Sequence, residues 1–187
     1  MANADESTKE KGRRSDRQRF LELAGEADPQ RSAYGHAGLG DLAISEGKPE
    51  EAVRLLRKAL ELAPSKPHFH YLLGFACGQM GRWSEAEASL QMAVELQPGS
   101  AEYLRCLGWV LCNGKQVERG RKLLQEARKI EPRNPHILSD LAASCLDTGE
   151  FELARRYAIE ASSLAPDDPL IQSLIVVTEQ VAPEADW

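Results

Sequence analysis

Apolar residues recur along this chain on helical faces that alternate at a fixed interval. Leu73, Gly74 and Cys77 stand at i, i+1 and i+4, and Ala86, Leu90 and Ala93 at i, i+4 and i+7, the spacing of one face of an α-helix. The pattern returns every 34 residues: "EEAVRLLRKALELAP" (50–64) is echoed by "SEAEASLQMAVELQP" (84–98), "ERGRKLLQEARKIEP" (118–132) and "ELARRYAIEASSLAP" (152–166). Four copies therefore span 33–66, 67–100, 101–134 and 135–168 without a slip, each predicting two helices joined by a turn. Position 7 of each copy is Leu39, Leu73, Leu107 and Leu141, and position 8 is Gly40, Gly74, Gly108 and Ala142. Position 24 is Leu56, Leu90, Leu124 and Ala158, and position 27 is always Ala (59, 93, 127, 161). Small residues at the paired positions let two helix axes approach closely. Gly47, Gly81 and Gly149 fall between the helices, where a left-handed residue ends the first helix cheaply. In the third copy that slot is Lys115 beside Gly114, so its turn is expected to differ by one residue. Pro64, Pro98, Pro132 and Pro166 close the second helices.

These columns resemble the tetratricopeptide repeat family, whose unit is a helix-turn-helix of 34 residues. The resemblance covers about residues 33–182 and implies an all-α, right-handed superhelical array. The sequence departs from the family pattern at position 4 (His36, His70, Leu104, Leu138) and position 11 (Ala43, Cys77, Leu111, Cys145), so the packing is less aromatic than usual. Helices this short are marginal alone and depend on their neighbours. At the front, 17–32 reads as a half-repeat helix with Leu21, Ala24 and Pro29 in the Leu, Ala and Pro slots, after a disordered lead over 1–16. At the back, Asp168 and Pro169 open a capping helix over 169–182, followed by a tail, 183–187. Ile171, Ile175, Thr178 and Ala182 form the stripe expected to pack on the fourth copy. Leu170, Leu174, Val177 and Val181 form a second apolar stripe that needs a cover, either a second copy of the chain or the tail with Trp187.

In this family the first helices line a concave groove, which implies that Tyr34, Asp41, His68, Tyr71, Leu72, Phe75, Arg105, Trp109 and Asn113 face a ligand. The Lys, Asn and Arg clamp with which some members grip a peptide carboxylate is absent, because those positions hold Ala37, Asp41, Leu72, Glu102 and Cys106. What remains is an apolar and aromatic patch, Tyr71, Leu72, Phe75 and Trp109, with Arg105 as its one cation. Such residue types dominate interface energetics, and they suit an apolar helix or extended peptide with an acidic residue near Arg105.

The bulk numbers agree with a binding module. Residues 1–19 carry six Lys/Arg against four Asp/Glu, and the rest carries 17 against 25, so the body is acidic within a net charge of −6. An acidic body repels phosphate backbones, which argues against nucleic acid as the main ligand; an RNA-reading helical repeat is the rival reading and would want a basic groove. The basic "KEKGRRSDRQR" reads as a solvated lead-in, the alternative being an arm for nucleic acid or a membrane surface. No signal-like or membrane-spanning apolar run appears, so the expected location is cytoplasmic, with no membrane partner. Cys77, Cys106, Cys112 and Cys145 have no metal or disulfide spacing and read as buried apolar residues. His68 and His70, two apart, diverge on a helix, so no metal site is expected. Neither a phosphate loop nor a nucleophile constellation is evident, and no cofactor is implied. The expectation is a non-enzymatic module that binds protein or peptide as adapter, scaffold or chaperone, with a secretion-type chaperone or a self-assembling scaffold as the alternative.

Overall fold

The computed structural model describes residues 2–181, with side chains from Gly12 onward. Among them are ten helices and no strand: α1 (Ala2–Ala24), α2 (Pro29–Ser45), α3 (Pro49–Leu62), α4 (Pro67–Gln79), α5 (Trp83–Leu96), α6 (Ala101–Asn113), α7 (Val117–Ile130), α8 (Pro135–Asp147), α9 (Phe151–Leu164) and α10 (Pro169–Val181). The chain forms two compact units, Met1–Pro98 with α1 to α5 and Gly99–Trp187 with α6 to α10. The all-α repeat array is as expected: α2/α3 and α4/α5 are hairpins of the first unit, α6/α7 and α8/α9 of the second.

The seam of each hairpin explains its columns. A Cβ on Gly40, Gly74 or Gly108 would lie 2.7, 2.5 or 2.8 Å from Cγ of Leu56, Leu90 or Leu124. Glycine at position 8 thus makes room for a fully buried leucine at position 24. In the fourth hairpin both positions are alanine, Ala142 and Ala158, each 0% exposed. The bulk has moved from one side of the seam to the other.

All four hairpin turns share one geometry. Gly47 (φ 70°), Gly81 (69°) and Gly149 (77°) are left-handed. The following N–H reaches back to the carbonyl five residues earlier, as in Lys48 N to Ala43 O (2.8 Å) and Arg82 N to Cys77 O (3.0 Å), the Schellman closure of a helix. The third turn does not differ by a residue as expected. Lys115 itself adopts φ 67°, and Gln116 N donates to Leu111 O at 2.8 Å in the same register. Packing on both sides imposes the turn, and the lysine bears the Cβ strain, about 1 kcal/mol or slightly more. Lys115→Gly is expected to stabilise the fold by about 1 kcal/mol, seen as a higher urea midpoint with an unchanged slope; an unmoved midpoint would contradict the strain. Where second helices end, Ala63, Gln97, Glu131 and Ala165 have left the helical region (ψ 75°, 79°, 79° and 72°), which the following proline disfavours.

The front differs from expectation in three ways. Residues expected to be a disordered lead carry helical backbone from Ala2. They are rich in strong helix formers. Pro29 does not close a helix but opens α2, whose cap Asp28 accepts from Gln30 N (2.8 Å) and Arg31 N (3.1 Å). The half-repeat helix accordingly ends at Ala24. Leu21 is 52% exposed and not in the Leu slot. Phe20 and Ala24 meet α2 instead: a Cβ on Gly38 would lie 2.4 Å from the Phe20 ring, and one on Gly35 2.2 Å from Ala24 N.

The buried cysteines and His36 belong to the core. The four cysteines are free and buried, and burial pushes the Cys112 thiol up to about 11. His36 is 8% exposed with no hydrogen bond to Nδ1, whereas His70, in the same column, has Nε2 2.7 Å from Pro64 O. Burial first, then Lys58 and Arg54, hold the His36 imidazole below its usual range. The unfolded chain therefore takes up that proton first, and stability falls as pH drops through the ordinary histidine value. His36→Leu, matching Leu104 and Leu138 of the column, is expected to stabilise the fold by about 1 kcal/mol, and more at pH 5.5 than at pH 7.5. Urea midpoints at the two pH values check this; an equal gain at both would contradict it.

Candidate functional site

In the first unit α1, α2 and α4 enclose a cleft of about 540 Å³. Phe20 and Leu23 of α1, Ala37 and Gly38 of α2, and Phe69 and Leu72 of α4 give its apolar lining. Arg19, Tyr34, Asp41, Lys66 and His68 supply the polar groups around it. Four of the residues expected to face a ligand, Tyr34, Asp41, His68 and Leu72, thus meet in one cavity. Leu72 is only 6% exposed, so it lines the cavity rather than standing free as a surface contact. Tyr34, 48% exposed, packs edge-on to Phe69 with centroids 5.4 Å apart, and the Lys66 ammonium lies 5.2 Å from its ring centre. Tyr71 stacks between His68 (5.7 Å) and Phe75 (6.3 Å), a ladder of rings along one stripe of α4. Such stacks hold aromatic surface in place before any ligand arrives.

Sequence reasoning did not anticipate Arg19, Phe20 and Lys66 in this cavity. A signal was available: α2 carries Gly35, Ala37, Gly38 and Gly40 close together, more small residues than one partner helix requires.

In the second unit Arg105, Trp109 and Asn113 follow one stripe of α6 at i, i+4 and i+8. Trp109 is half-buried, and Asn113 is exposed and donates from Nδ2 to the Trp109 carbonyl (2.9 Å). Arg105 differs from expectation. Its Nε and Nη2 donate to the two carboxylate oxygens of Glu102 (2.8 and 2.7 Å), and its Nη1 donates to Asp140 Oδ2 on α8 (2.8 Å). Its side chain is 16% exposed. Burial works against its charge, but the two carboxylates more than offset that and hold it firmly protonated. Its charge is thus met by two carboxylates within the protein.

The stripe of α10 expected to pack does so: Ile171 and Thr178 are 0% exposed and Ile175 is partly buried, while Ala182 and Trp187 lie outside the described residues. Of the second stripe, Leu170 (77%), Val177 (43%) and Val181 (42%) are exposed and Leu174 is half-buried. Among the described residues no three or more His, Cys, Asp or Glu side chains gather as metal ligands, and no helix is long and apolar enough to cross a membrane.

No curated protein matches the sequence. Solved structures do match in fold. A crystal structure of MamA aligns at 21% identity and TM-score 0.64 over 80% of this chain and 81% of that one. YrrB, described as a TPR protein with an unusual peptide-binding site, aligns at 19% and 0.64 over 86% and 82%. PilF of Pseudomonas aeruginosa aligns at 19% and 0.66 over 91% and 86%. The family model of the tetratricopeptide repeat matches residues 43–109 and 115–176. The chain belongs to the tetratricopeptide repeat family.

Proposed function

We propose that the protein is a non-catalytic interaction module, an adapter, scaffold or chaperone, that binds an apolar helix or extended peptide on the faces of its first helices. The observation that carries this is the cleft between α1, α2 and α4, with its apolar lining and the exposed Tyr34. A concave site with few polar groups is the usual form of a binding pocket, and immobilised aromatics lose little entropy on contact. The cations that favour an acidic ligand residue are Arg19 and Lys66 rather than Arg105. The peptide-binding site attributed to YrrB, a neighbour in fold, supports the same class of role.

Peptides selected by display against the whole protein test this reading. Tyr34→Ala and Tyr71→Ala are each expected to weaken the selected peptides about tenfold, near 1.4 kcal/mol, with the circular dichroism of the fold retained. Selected peptides that bind both folded variants as tightly as the parent would refute the site.

A further inference from the structure

From Gly12 to Leu21 the basic N-terminal stretch is part of α1, with four arginines against one carboxylate, Asp16. Phe20 packs this part of the helix on α2. Arg13 and Arg17 stand at i and i+4 and so share one stripe, which Arg14 adjoins. The stripe meets the turn between α2 and α3: Arg13, Arg14 and Arg17 line a hollow of about 370 Å³ together with Glu46 and Lys48. No residue of this hollow is shared with the cleft that holds Tyr34.

The one carboxylate lining the hollow is already occupied. Arg17 Nη1 donates to Glu46 Oε1 and Oε2 (3.1 and 3.3 Å), and Lys48 Nζ donates to Oε2 (2.7 Å). The hydrogen bond from Lys48 foremost, and then the charges of Arg17 and Lys48, hold the Glu46 carboxyl below its usual range. The other end of Arg17 is drawn to α3, where Glu51 Oε1 lies 3.7 Å from Nη2. Arg17 is thereby fixed among α1, the end of α2 and the start of α3. Arg13 is exposed, and the Lys48 side chain is 51% exposed, so both remain within reach of a ligand.

Among the described residues, four cations thus stand against Glu46 and Glu51, an excess of two positive charges in an otherwise acidic protein. They come from two elements and converge on a hollow. That arrangement suits a compact group with about two negative charges and several acceptor oxygens better than a flat sheet of singly charged headgroups. We propose that the hollow binds the phosphoryl group of a phosphorylated Ser or Thr in another protein. Arg13 and Lys48 donate to its oxygens, and Arg17, fixed by Glu46 and Glu51, is the third cation. This site goes beyond the first-helix reading and does not depend on it.

The probe is a labelled short peptide of Gly and Ala around one phosphoserine, compared with its serine form and titrated into the full chain by fluorescence anisotropy. The phosphoserine form is expected to bind at least about tenfold more tightly than the serine form. Arg13→Gln/Lys48→Gln is expected to weaken it by about tenfold or more, with the circular dichroism of the fold retained. Arg54→Gln/Lys58→Gln, which removes two exposed cations of α3 away from the hollow, is expected to change it less than about twofold. Equal losses in the two variants would overturn the inference, because the attraction would then be one of overall charge. Equal binding of the phosphoserine and serine forms would overturn it as well. Binding to vesicles of phosphatidylglycerol and phosphatidylcholine without binding to the phosphopeptide would overturn it in favour of a membrane surface. Tyr71→Ala is expected to leave the phosphopeptide affinity unchanged, so a failure here leaves the first-helix site standing.

Discussion

Leu90→Ala is expected to cost about 3 kcal/mol, Gly74→Ala about 2 kcal/mol, and the two together clearly less than their sum. Leu90 is 0% exposed, so truncating it leaves a cavity in the α4/α5 seam. A Cβ added to Gly74 would lie 2.5 Å from Leu90 Cγ and 3.0 Å from the Ala86 carbonyl, and a packed seam yields only by moving helices apart. In the double variant the added methyl enters space the leucine has vacated, so a favourable coupling of about 1 kcal/mol or more is expected. The fourth hairpin already carries this exchange as Ala142 and Ala158. A double-mutant cycle by urea denaturation measures the coupling. Strict additivity would show that the seam does not act as one steric unit.

Arg105→Ala is expected to cost about 2–4 kcal/mol, chiefly because it strands Asp140. The two side chains are each 16% exposed and joined at 2.8 Å, whereas Glu102, 40% exposed, can turn to water. Burial already pushes the Asp140 carboxyl above its usual range against the pull of Arg105. Without the guanidinium that carboxyl rises further. The unfolded state then releases the proton at lower pH than the folded state, so the penalty grows as pH rises above the carboxylate range and shrinks in acid. Arg105→Leu/Asp140→Leu, which removes both charges, is expected to be close to neutral. Stability of the single and double variants at pH 4.5 and pH 7.5 tests this, and a single variant with the same loss at both would contradict the stranded carboxylate.

What the sequence disclosed was local and repeated. The four closing prolines, three left-handed glycines and the Gly/Leu seam recur at one interval, so each copy corroborates the others. The front had no second copy to fix its register. Leu21 fits the Leu column by spacing, yet Phe20 faces α2, and Pro29 serves α2 because Asp28 caps it. Lys115 was misread because residue type suggested a shifted turn, whereas packing on both sides kept the turn and strained the residue. Arg105 was legible in principle. Glu102 lies three residues before it, and Asp140 lies one repeat plus one residue ahead, the offset at which neighbouring first helices meet. The cleft was hardest to foresee, since α1, which gives it Arg19, Phe20 and Leu23, lies outside the four repeats.

Apolar peptide ligands are expected to lie on the first helices and to leave the second helices untouched. Backbone amide shifts, followed by nuclear magnetic resonance while a display-selected peptide is titrated in, test it most directly. The largest changes are expected on α2 and α4 or on α6, α8 and α10, with α3, α5, α7 and α9 little moved. Changes concentrated on the outer faces of those second helices would contradict it.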